Sequence, residues 1–300
     1  MEWSAVAAKL CHLASAFMEQ WLDLVAHGIV FVMLQTWNTT LLAAEALGFC
    51  LFYYFFPELQ NVGLNWQYVS FAVVFPVVFF VRETWRRREE ALKSLATIKS
   101  VALAIYLCNR DWVRPAKLDP AHPVRAQQCI CNLLRTLRDY LLMPRLTTRD
   151  LYFDLLREGR YEKHLEERSK FRRRILALTA GLSRLAADLR DYGMPPPELI
   201  RLASFHRKLS LTVEGVLTIK DYRTPQGPRS IARIDVLLMF AVFGVYFAWA
   251  GEQVGSPAFG AVLAVGCAQV LGTVVQIGAQ LEDPFNAGTS RDQINVVRDV

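Results

Sequence analysis

Residues 64–81, LNWQYVSFAVVFPVVFFV, pass directly into residues 82–112, RETWRRREEALKSLATIKSVALAIYLCNRDW. The first eighteen are bulky and carry no charge, about the length that spans a bilayer as a helix. No glycine and only one proline, Pro76, interrupt the run. The stretch therefore reads as one long helix that crosses a membrane and continues into the cytosol. Phe71, Phe75 and Phe79 recur every fourth residue and stack as a ridge on one helix face. Arg82, Arg86 and Arg87 follow as a basic collar at headgroup level, where cations are tolerated and oriented. An aromatic ridge inside the membrane above a basic collar is suited to lining a pore.

Charge is segregated around this helix. Residues 82–233 hold 31 of the 34 Lys+Arg and 17 of the 28 Asp+Glu, a balance of +14, which leaves −8 elsewhere. That is the pattern of a membrane region of low charge around one large basic insert, which the positive-inside tendency places in the cytosol. The basic residues are interleaved with glutamates at helical spacing and no zinc-finger or RNA-binding motif is present, so nucleic acid is not an expected partner. The six cysteines are scattered. Cys129 and Cys131 lie too close together for a zinc ribbon and have no histidine nearby, so reduced thiols are expected and no metal. No basic n-region and short apolar core open the chain, so no cleaved signal peptide is expected.

Taken in order, residues 1–36 read as an amphipathic helix with Ala14, Phe17, Met18, Trp21, Leu22 and Val25 at helical spacing. Residues 37–81 read as a transmembrane hairpin broken at Pro57, with Glu45 an acid inside its first crossing. Residues 82–233 read as a cytosolic helical region, with helices expected near 124–142, 149–157, 161–192 and 196–221 and stripes such as Leu133, Leu134, Leu137, Leu141 and Leu176, Leu178, Leu182, Leu185. The basic run Lys170–Arg174 reads as a solvated face or a lipid-headgroup contact, with an anion-attracting ring in a symmetric oligomer as the alternative. Tyr222 to Pro228 reads as a turn that stops a helix. Residues 234–280 hold the third and fourth crossings, and residues 281–300 run out polar. The fold class is thus an all-α, multi-pass integral membrane protein: four transmembrane helices with a large helical insert between the second and third.

That order carries three local likenesses: FFVRETWRRREEA at 79–91, IKDYRTPQGPRS at 219–230 and LEDPFNAGTSRDQINV at 281–296. With them the chain resembles the bestrophin and bestrophin-like anion channels over essentially its whole length. The resemblance implies a homopentamer around a central pore that passes small anions, chloride or bicarbonate, with membrane lipid outside. It implies a hydrophobic neck on the second transmembrane helix, matched here by Phe71, Phe75 and Phe79, with Val74 and Val78 as a neighbouring stripe. Animal members carry a dense acidic run after the Pro-Phe that forms a calcium clasp. Here Glu282 and Asp283 stand before Asn286 to Ser290, too few oxygens for a calcium site, and no cofactor is implied.

Two other readings keep the fold: a non-conducting membrane scaffold, and a cation-conducting relative. The plasma membrane and an organelle membrane fit the sequence equally. An enzyme is not expected, since the five histidines are dispersed and no HExxH, P-loop, GxSxG or dinucleotide fingerprint occurs.

Overall fold

A computed structural model describes residues 2–60, 66–112, 119–144, 160–222, 226–285 and 294–296. Among them the chain is helical: α1 (Glu2–Met33), α2 (Trp37–Phe55), a 3-10 turn (Pro57–Gln60), α3 (Trp66–Asp111), α4 (His122–Leu142), α5 (Arg160–Asp191), α6 (Pro196–Asp221), α7 (Gln226–Val254) and α8 (Pro257–Leu281). The expected helix at 149–157 lies outside the described residues. The long helix of the opening stretch is present as α3, 46 residues with Pro76 inside it. Proline removes one backbone bond there, a loss that transmembrane helices accommodate locally.

The turn expected over Tyr222 to Pro228 ends earlier, because α7 already begins at Gln226. Pro228 sits in its first turn, where the missing N–H had no intrahelical partner to lose.

The chain divides into two compact units: Met1–Val81 with Pro225–Gly278, and Arg82–Thr224 with Ala279–Val300. Among the described residues three helices are long and apolar enough to cross a membrane: Val74–Asp111, Ser230–Val254 and Pro257–Leu281. This is an integral membrane protein. Helix α2 is not one of the three; Asn38, Thr39, Thr40 and Glu45 dilute its apolar residues.

In the first unit α2 packs on α7 around Leu42, Ala46, Cys50, Phe240, Phe243 and Phe247. Close approach depends on absent side chains. A Cβ on Gly244 would stand 2.9 Å from Phe49 Cβ, and one on Gly260 would overlap the Phe247 carbonyl oxygen. Gly255 closes α7 with φ +69° while Ser256 N–H reaches back to the Gly251 carbonyl, the left-handed helix ending that glycine favours. On α1, Phe17, Met18, Trp21, Leu22 and Val25 are exposed.

The second unit is a helical bundle with its own core. Ala91, Leu95, Ile98, Ala102 and Ile105 form the inward line of α3, advancing by alternate fours and threes. Ala126, Ile130, Leu133, Leu137 and Tyr140 do the same on α4, and Ile175, Leu182 and Leu189 step by sevens on α5. These are the buried seams of helices packed side by side. Of the expected α5 stripe, Leu182 is buried and Leu178 and Leu185 pack against the core, whereas Leu176 is 65% exposed and Ile175 holds the inward place. The last segment does not simply run out polar. Phe285, Ile294 and Val296 are buried in this core, because a bundle surface left open by α3 to α6 takes up apolar side chains wherever the chain offers them.

Candidate functional site

Helix α3 has two faces of opposite fate. Val77 and Phe80 are 2% exposed, whereas Phe71, Phe75 and Phe79 are 70%, 61% and 52% exposed. The rings of Phe71 and Phe75 stack on each other at 5.9 Å between centroids, and Val74 and Val78 are exposed beside them. The expected ridge thus lies on a face that nothing else in the chain covers among the described residues. Three and seven residues beyond Phe79, Arg82 and Arg86 continue that face, both exposed.

The three collar arginines divide. Arg82 is exposed. Arg86 is exposed and donates to Glu83 Oε1 at 2.8 Å, a pair whose charges cancel at a distance. Arg87 does not stand on the collar surface. It is half-buried, and its guanidinium donates to the carbonyls of Ile219 and Tyr222 at the end of α6. Burial pulls its pKa down, while Glu282, Asp283, Glu83 and Glu90 pull it back up; a guanidinium keeps its charge throughout. It therefore caps the negative end of α6 with a full positive charge. Arg88 donates to Glu89 at 2.7 Å and lies over the Trp85 ring at 5.3 Å.

The C-terminal acids sit in the same unit. Asp283 Oδ2 accepts from Lys220 Nζ at 2.9 Å, and Lys220 is 1% exposed. Asp283 Oδ1 also accepts the Phe285 N–H at 3.3 Å, which fixes the turn carrying Phe285 into the core. Next to Lys220, Asp221 accepts from Tyr140 Oη at 2.5 Å, Arg168 at 3.2 Å and Arg172 at 3.4 Å. Arg172 reaches Glu214 as well, at 2.6 Å. Burial first, and then the bond to Asp221, drive the Tyr140 phenol well above its usual pKa, so it acts as a neutral donor. The result is a charge cluster in which α4, α5, α6 and the C-terminal segment are tied through residues 220–221.

Sequence reasoning singled out Phe71, Phe75 and Phe79, the three arginines and the two acids; the rings, Arg82 and Arg86 are exposed, whereas Arg87 turns inward. It did not single out Lys220, Asp221, Tyr140 or Arg168, and it read Arg172 within a basic run as a solvated face or a lipid-headgroup contact. The available signal was the pair Lys220-Asp221 closing an apolar helix within a stretch already singled out. Among the described residues no group of three or more His, Cys, Asp or Glu is placed to hold a metal ion.

No family model matches the sequence, and no curated protein matches it either. Solved structures do. A bacterial bestrophin homolog from Klebsiella pneumoniae, in one point variant, aligns with a TM-score of 0.64 at 16% identity, covering 87% of this chain and 93% of that one. The fold is bestrophin-like. Another variant of that bestrophin homolog aligns at 0.61 with 15% identity, over 87% of this chain and 94% of that one. A structure described as a membrane protein aligns at 0.63 with 15% identity, over 87% and 92%.

Proposed function

We propose that the protein is a passive anion channel: a homopentamer whose α3 helices surround the pore, with Phe71, Phe75 and Phe79 as its hydrophobic neck. Helices α2, α7, α8 and the first part of α3 are its four crossings, and the basic unit of residues 82–224 faces the cytosol. Chloride or a similar small anion is the permeant ion. The observation that carries the reading is the uncovered face of α3, with aromatic rings on one stretch and exposed cations on the next. A soluble chain would bury such a face, and a lipid-facing one needs no row of rings in register with arginines. Rings closing on a narrow axis shed water and gate by dewetting. Their edges are weakly positive and tolerate an anion better than a cation.

The test is electrical. Purified protein in a planar bilayer, under a potassium chloride gradient, is expected to reverse near the chloride equilibrium potential. Phe75→Ala is expected to widen the neck and raise conductance several-fold while the particle remains a pentamer by mass. Protein that passes no ions, or that reverses at the potassium potential, overturns the proposal.

A further inference from the structure

The four arginines between residues 82 and 88 do not contribute alike to the field along α3. Arg86 is neutralised by Glu83 at 2.8 Å and Arg88 by Glu89 at 2.7 Å. Arg87 is committed to the carbonyls of Ile219 and Tyr222. Among the described residues, Arg82 alone of the four is exposed with no carboxylate or carbonyl partner. It is also the nearest to the rings, three residues or about 4.5 Å of helix rise beyond Phe79. Lys93, the next exposed cation of this face with no carboxylate partner among the described residues, lies eleven residues farther, about 16 Å along the axis. That is roughly twice the Debye length of about 8 Å at physiological salt.

Resting on the channel reading above, we infer that Arg82 is the specificity-determining residue: its unpaired guanidinium sets the preference for anions at the end of the neck. A charge one turn from a low-dielectric constriction acts strongly on an ion about to lose its water, because apolar walls focus the field and little solvent intervenes. Five copies around an axis add their potentials there. The Glu83–Arg86 pair presents a dipole, and its field decays faster with distance than that of a bare charge. Of the four, Arg82 therefore presents an uncancelled charge from an exposed position nearest the rings.

The experiment measures reversal potentials of the full-length protein under a potassium chloride gradient for wild type and four variants. Arg82→Gln is expected to lower the chloride-to-potassium permeability ratio about fivefold or more, and Arg82→Lys to keep it. Glu83→Gln with Arg86→Gln, which removes the pair without changing net charge, is expected to leave the ratio within about twofold. Arg82→His is expected to make the anion preference depend on pH, rising as the pH falls through about 6.5, so one preparation supplies its own control. Wild-type currents selective for anions and unchanged in Arg82→Gln and Arg82→His overturn this inference and leave the channel standing. Wild-type protein that is silent or cation-selective overturns both. A ratio that falls as far in the double variant as in Arg82→Gln also overturns the inference, since the whole run would then share the task.

Discussion

The two compact units bury different things. The first closes on itself through backbone proximity, with Gly244 against Phe49 and Gly260 against Phe247, and leaves large apolar side chains such as Phe55, Phe71, Trp249 and Val262 uncovered. The second closes around a continuous apolar core and a buried charge cluster of Lys220, Asp221, Asp283 and Arg168. In lipid an exposed Phe costs nothing, so helices associate through tight fit wherever small residues allow it. In water the exposed apolar area itself drives closure, and polar groups are admitted only as satisfied pairs. The first unit is thus built for lipid or further copies as its outer layer, the second to hold its shape alone.

The sharpest way to break this contrast is to remove one charge from the second unit. Lys220→Met takes the ammonium from Asp283, whose oxygens also set the turn before Phe285. An acid left behind in a largely buried pair costs about 3–5 kcal/mol, and the loss should free Phe285 from the core. Denaturant unfolding followed by tryptophan fluorescence, with Trp112 packed on that core, should show a midpoint displaced by that amount. Lys220→Met with Asp283→Asn should recover much of it. A fully retained midpoint in the single variant would mean the pair does not anchor the C-terminal segment.

In the first unit the corresponding change adds a side chain where none fits. Gly260→Ala places a Cβ on the Phe247 carbonyl oxygen, whereas Gly266 on the same helix has nothing within 4 Å of such a Cβ. Overpacking costs about 1–3 kcal/mol, so Gly260→Ala should lower the thermal midpoint in detergent and Gly266→Ala should not. Equal responses would show that the α7–α8 approach is looser than the contact implies.

Much of this division was legible in the sequence because it rests on local quantities. Hydropathy and period identify α3 from Phe71 to Ile105, and the concentration of charge in residues 82–233 marks off a charge-rich region from an apolar one. The limits of α6 follow from Pro196 and from the Tyr222 stretch. What escaped depends on long-range partners. Nothing near Arg87 says that it turns inward to the end of α6, 132 residues away, while Arg86 pairs with Glu83 one turn back. The cluster at Lys220 and Asp221 joins residues as far apart as Tyr140 and Asp283, and charged residues read as solvated until an acid far along the chain is brought beside them. One residue of the α5 stripe, Leu176, was misjudged for a smaller reason: Ile175 and Leu176 are adjacent and apolar, and only packing decides which of them faces in.

The smallest expected effect concerns protons in the second unit. His122 is buried, with Nε2 3.0 Å from Asn109 Oδ1. Asn109 Nδ2 donates to the Ile105 carbonyl at 2.8 Å, so its Oδ1 is the acceptor and His122 Nε2 carries the hydrogen. That leaves Nδ1 as the bare ring nitrogen, buried without a hydrogen-bond partner, so a proton added there would find no acceptor. Burial lowers the His122 pKa, Arg125 adds to the lowering, and Asp188 and Asp119 oppose it. Burial likewise lowers His206, whose Nε2 is also buried without a partner. A depressed folded pKa means the neutral form is the one the fold holds. The stabilisation is complete above the unfolded value of about 6.5 and is lost as the pH falls from there through the folded value. Stability measured between pH 8 and 5 should therefore decline below about 6.5, and His122→Gln, which can still donate to Asn109, should flatten part of that decline. A profile unchanged by the substitution would mean that Nδ1 finds a proton acceptor, and that this unit tolerates a buried charge at His122 as readily as the first unit tolerates an exposed phenylalanine.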